Sequence, residues 1–157
     1  EVSLIVAAGT VGGMTASVVL GKLSDRIGRV KVILGGLILI AMLTPLYGFV
    51  PNVGLMAIIY GLNGLSFMTI RTVGFAFAGD IIPERKRGRL LSRYNMVMAL
   101  SWGPAGFLIG GPFADFQTEI LRIPTREAYI NAFFVSSLLV FMGMSLFFAK
   151  VRKEKHS

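Results

Sequence analysis

The chain has 157 residues, of which 54% are hydrophobic and 15% charged, with a formal net charge of +8 and a mean hydropathy of +0.72. Soluble domains carry about a quarter charged residues, so this balance points to lipid as the solvent. Cysteine is absent, which excludes disulfides and thiolate metal sites and leaves the redox compartment open.

A hydrocarbon core of ~30 Å takes about 20 apolar residues in helix to cross. Runs of that kind occupy residues 2–20, 32–50, 53–79, 94–112 and 129–149, the third interrupted by Arg71. All are longer than the roughly ten-residue strands of a membrane barrel. The expected fold is therefore all-α, a single transmembrane domain of five helices over residues 1–157. With Glu1 and not Met at its head, and no basic leader or A-x-A-like site, the chain reads as a piece of a longer polypeptide without a signal peptide.

In chain order, the first run carries Gly9, Gly13 and Ala16 at helical spacing, a stripe suited to close helix packing. It is followed by "GKLSDRIGRVK", residues 21–31, a compact charged connection between two apolar runs. There Gly21 can end the first helix, and Gly28 can supply a positive φ. Asp25 can complement a helix N-terminus, and Arg26 and Arg29 can reach acids on another span, for which Asp80 and Glu84 are the candidates. After the second run, "TPLYGFVPNVG" makes a turn through Pro51, Asn52 and Gly54.

The third run holds the most informative residue. Arg71 lies nine residues before Asp80, about 13 Å into the membrane at 1.5 Å per residue. Intramembrane arginine is costly and rarely faces lipid. Tyr60, Gly64, Phe67 and Arg71 share one helical stripe, with Asn63 and Ser66 beside it. Such a stripe suits a cavity in which rings stack on a solute and Arg71 draws a carboxylate or phosphate. The alternative is that Arg71 snorkels to water or pairs with Asp80.

Next comes "IIPERKRGRLLSR", where Pro83 limits the third helix. In the fourth run Gly103, Gly106 and Gly110 align on one face around Pro104, the expected position of a helix bend. Trp102 lies inside this run, facing either the cavity or a packed neighbour. "FADFQTEILRIPTRE" reads as the one roomy loop, with Asp115 at the membrane boundary and Pro124 separating it from the last helix. The fifth run ends in the basic tail "KVRKEKHS", whose His156 is no proton relay.

The cations sort by side. Thirteen Lys and Arg follow the first, third and fifth runs, two lie between the fourth and fifth, and Arg71 is left inside a span. Lys and Arg gather on the cytoplasmic side, so the amino end is expected outside and the carboxyl end in the cytoplasm of a plasma or inner membrane. The basic excess thus reads as topology and not as a nucleic-acid surface.

With spans and sides in place, "GKLSDRIGRVKVI" resembles the G-x-L-x-D-R-x-G-R signature of the major facilitator superfamily, matched at Gly21, Leu23, Asp25, Arg26, Gly28 and Arg29. "PERKRGRLL" is similar to the family's P-x-x-x-R-G loop, and "LSWGPAGFLIGGPFAD" resembles its glycine-rich G-P-x-x-G-G helix with one altered spacing. The resemblance implies a secondary transporter working by alternating access, ion (proton)-coupled in type, of which this chain is helices eight to twelve. It implies the absent amino-terminal half as partner and a small organic solute as cargo, which Arg71 inclines toward an anionic or zwitterionic one; neither cofactor nor metal is expected. It further implies a gating role for the signature, which we write as a latch of Asp25, Arg29 and Asp80 against the simpler reading of surface charges that fix topology. A self-associating small membrane protein, as half-transporter homodimer or scaffold, is the competing class. A membrane enzyme is not expected, for want of H-E-x-x-H, paired intramembrane carboxylates or an intramembrane His.

Overall fold

The computed structural model describes residues 2–105 and 110–154. Among these the regular elements are all helices: α1 (Val2–Ile27), α2 (Arg29–Leu43), α3 (Val53–Ile81), α4 (Arg87–Ala105), α5 (Gly111–Asp115) and α6 (Thr125–Glu154). A 3-10 segment, Thr44–Phe49, extends α2, and a π turn, Phe116–Ile120, extends α5. Three stretches of the described residues are both long and apolar enough to cross a membrane: Arg29–Phe49, Val53–Ile81 and Thr125–Arg152.

The helix ends have local causes. Asn52 caps α3, its Oδ1 accepting the Leu55 N–H at 2.8 Å. At the other end α3 stops at Ile81, one residue short of the Ile82–Pro83 step, because a residue before proline is driven out of the helical region. Pro124 sits just outside α6 and its carbonyl accepts the Ala128 N–H at 3.0 Å.

Two expectations about connections are corrected. Gly21 does not end the first helix: α1 continues to Ile27, and the break is the single residue Gly28, at φ 99° and ψ 133°. The Gly28 N–H still donates to Ser24 at 3.0 Å and its carbonyl accepts Val32, so the corner costs almost no backbone bonds. Within the expected roomy loop, only residues 121–124 are non-helical. There Arg122 takes φ 52°, and the chain closes with Ile123 N–H donating to Gln117 at 3.0 Å. This is the left-handed helix ending usually given to glycine.

α3 is the axis of the assembly. α1 packs along one side of it and α2 along another, while α6 lies against α2 and its 3-10 extension. Small residues permit the approach: a methyl at Gly36 would lie 2.9 Å from Ile70 Cγ1, and one at Gly13 would lie 2.7 Å from Met68 Cγ. Val32, Ile33 and Val73 form the core, joined by Leu37, Phe77 and Phe147. Ser137 of α6 donates its hydroxyl to the Ala41 carbonyl of α2. Large apolar side chains meanwhile line the outside, Leu138 and Leu146 of α6 being 62% and 70% exposed. An exterior this apolar suits hydrocarbon and not water.

Candidate functional site: the Gly28 corner and the face of Arg71

The corner at Gly28 gathers charges from three helix ends. Arg29, the first residue of α2, places Nη1 2.8 Å from Asp80 Oδ2 at the end of α3, and Nη2 3.6 Å from Asp25 Oδ1 at the end of α1. Arg29 is 26% exposed, whereas Asp25 and Asp80 are 68% and 58% exposed. Behind them Ser24 is buried and donates to the Gly21 carbonyl at 2.6 Å. Only glycine reaches the dihedrals of Gly28 without strain, and the sharp turn there brings the α2 terminus onto α3.

The electrostatics of this triad are delicately balanced. A cation at a helix N-terminus and a carboxylate in a last turn both oppose their helix dipoles. Arg29 and Asp80 are placed in just those positions. Each is unfavourable to its own helix, and pairing cancels the two penalties. Exposed pairs contribute about 0–1 kcal/mol. The contact can therefore form and break at little cost.

The other gating candidates stay outside it. Arg26 is exposed in the last turn of α1, and Glu84 is exposed in the short 3-10 turn Glu84–Lys86. Neither takes part in an ion pair among the described residues. Gly21, within α1, contributes only its carbonyl.

On α3, Arg71 is exposed and has no hydrogen bond or ion pair among the described residues. Its alternative partner is ruled out. At 100° per residue Asp80 lies on the opposite side of α3, and its carboxylate is held by Arg29. Tyr94 of α4 lies across α3 one turn nearer the Gly28 corner. Its Oη is 2.8 Å from where a methyl would stand at Gly74, and its ring centroid is 6.2 Å from that of Phe75.

Further along α3, Tyr60 and Asn63 meet Tyr47 of the 3-10 segment. The Asn63 Nδ2 donates to Tyr47 Oη at 3.1 Å, and the Tyr47 ring stands 6.4 Å from Tyr60 and 5.6 Å from Phe133 of α6. Tyr60 and Asn63 are thus brought together, Phe67 is half-buried between them and Arg71, and Arg71 stands apart. Tyr47, Tyr94 and Phe133 were not anticipated. Their signal is weak, since an aromatic in an apolar run looks the same whether it packs, faces lipid or faces a cavity.

Of the expected bend, Gly103 and Pro104 belong to the helical backbone of α4, Gly110 directly precedes α5, and Gly106 lies outside the described residues. The side chain of Trp102 also lies outside them.

A helical bundle with an apolar exterior, small-residue helix contacts and a charged corner defines a multi-pass membrane protein. The Major Facilitator Superfamily profile matches residues 1–157, and the chain belongs to that family. It is 32% identical over 108 residues to an uncharacterized MFS-type transporter of Mycobacterium tuberculosis, covering 67% of this chain and 15% of that protein. It is 30% identical over 114 residues to a Bacillus subtilis protein named "Putative metabolite transport protein", covering 73% of this chain and 25% of that protein. To Multidrug resistance protein 3 of Bacillus subtilis it is 28% identical over 102 residues, 65% of this chain and 20% of the relative. The matched stretches thus span only a small part of these relatives' own lengths. No solved structure matches.

Proposed function

We propose that this chain is most of the carboxyl-terminal lobe of a secondary transporter, moving a small organic solute by alternating access with ion, in the simplest case proton, coupling. In this reading its five spans, at residues 2–20, 32–50, 53–79, 94–112 and 129–149, work against a second lobe supplied by the rest of the polypeptide. The Gly28 corner lies at the cytoplasmic face of a plasma or inner membrane, with the amino end outside. The lobe binds solute and carries no catalytic chemistry.

The observation that carries the reading is the Arg29–Asp80 contact at 2.8 Å, with Asp25 beside it. Two states of similar free energy require contacts that cost little to break, and an ion pair whose carboxylates are more than half exposed meets that requirement. The pair acts as a latch, closed in one access state and open in the other. Along α3, Arg71 attracts an anionic or zwitterionic solute, while Tyr60, Phe67 and Trp102 offer rings and Asn63 an amide to it.

The test is transport by the full-length protein in proteoliposomes. Asp80→Asn and Arg29→Gln should each slow exchange with insertion unchanged. The charge swap Arg29→Asp with Asp80→Arg should restore part of the loss. Undiminished transport in both single variants would refute the latch. Independently, Arg71→Lys should weaken solute affinity and Arg71→Ala weaken it further; equal affinity in all three would remove Arg71 from the cavity.

A further inference from the structure

Between α2, α3, α4 and α6, toward the Gly28 end, lies an open groove of about 300 Å³. Its walls include Ile33, Ile70, Phe77, Ile81 and Phe147, and the Tyr94 hydroxyl is the only polar side-chain group among the lining residues. The groove is there because Tyr94 stands α4 off from α3 at Gly74, and among the described residues α4 makes few other contacts with the bundle. The lining ends at Ile81 and Ile82. The next residues are Pro83 and the cationic turn: Arg85, Lys86, Arg87, Arg89 and Arg93 are all exposed, and none is in an ion pair among the described residues. Glu84 is the only acid in that stretch, and the nearby Asp80 is occupied by Arg29. Arg87, seven residues before Tyr94 on α4, falls on the same helical face as Tyr94, and Lys86 adjoins it in the turn.

An apolar slot that opens onto a strip of uncommitted cations matches one kind of molecule: a long hydrocarbon joined to an anion. We infer that the groove and the 85–93 cations form a binding site for an anionic glycerophospholipid, one acyl chain lying against Ile70, Phe77 and Phe147 and the phosphate lying on Arg87 with Lys86 beside it. Juxtamembrane Lys and Arg attract anionic headgroups. The guanidinium fork grips phosphate oxygens at two points. The groove adds what a bare basic surface lacks, a place for the chain, so the lipid is held as a resident and not merely enriched nearby. It would fill the space that Tyr94 leaves and tie α4 to the rest of the bundle. The inference does not depend on the latch or on the solute.

The experiment is native mass spectrometry of the full-length protein in mild detergent, titrated with phosphatidylglycerol or with phosphatidylcholine of the same chains. The wild type should retain phosphatidylglycerol at activation energies that strip phosphatidylcholine. The double variant Lys86→Gln/Arg87→Gln, which leaves Arg85, Arg89 and Arg93 in place, should weaken phosphatidylglycerol about thirtyfold. Ala78→Phe, which fills the groove without changing charge, should also release the lipid. On the unaltered protein, glycerol 3-phosphate should fail to compete at concentrations where phosphatidylglycerol saturates. Equal retention of the two lipids, no loss in the double variant, or equal competition by glycerol 3-phosphate would each overturn the site.

Discussion

The two ends of α3 are held in opposite ways. At the Gly28 end the contacts are between charges, exposed and set against their helix dipoles: Arg29 with Asp80 and Asp25. At the Asn52 end they are neutral and largely sheltered. Tyr47 receives Asn63 of α3, and on the same side of the bundle Gln117, 4% exposed, ties the α5 extension to the start of α6, donating to the Phe113 and Ala128 carbonyls and accepting from Asn131 Nδ2 at 2.8 Å. Buried neutral hydrogen bonds are expensive to leave unmade, whereas exposed ion pairs exchange for water at little cost. In the proposed reading one end stays closed and the other lets go.

The largest effect should come from neither end but from the packing between them. Gly35 and Gly36 are neighbours on α2, yet a methyl at Gly35 meets nothing within 4 Å and one at Gly36 meets Ile70 at 2.9 Å and the Ser66 carbonyl at 3.4 Å. Gly36→Val should lower stability by about 1–3 kcal/mol, and Gly35→Val by under ~0.5 kcal/mol, in a detergent thermal-melt assay. Equal effects would mean that α2 and α3 do not approach as described.

Next in size are the neutral bonds. Gln117→Leu should cost about 1–3 kcal/mol, because the Asn131 amide and the Ala128 carbonyl lose a sheltered partner. Asp80→Asn should cost less than ~1 kcal/mol. High salt sharpens the contrast. At 1 M the Debye length falls to about 3 Å. Salt should then abolish the stability difference between wild type and Asp80→Asn while leaving that of Gln117→Leu unchanged. The smallest effect belongs to Arg122, whose φ of 52° glycine adopts freely. Arg122→Gly should be neutral or stabilising by up to ~1 kcal/mol in the same assay.

Much of this was legible in the sequence, because lipid imposes a simple rule: apolar runs of membrane length become helices. The helix stops at Pro83 and Pro124 were equally readable, since proline acts through its own ring and missing N–H. The Gly28 corner was read only in part. Its positive φ follows from residue type, but that α1 continues through Gly21 to Ile27 follows from backbone bonds that polar residues satisfy as well as apolar ones. The stretch after Asp115, expected as one roomy loop, instead keeps a helical backbone to Ile120. Tyr47 and Tyr94 could not be assigned from sequence. Their partners Asn63 and Gly74 lie 16 and 20 residues away, and only tertiary packing brings them into contact.

The central claim, that the Gly28 end is a breakable contact, can be measured as a distance. Lys31 and Glu84 are exposed on either side of it, and the chain has no cysteine to interfere. Spin labels on Lys31→Cys and Glu84→Cys in the full-length protein in lipid should give two separations, with Asp80→Asn moving the population toward the longer one. A single separation that Asp80→Asn leaves in place would contradict the account.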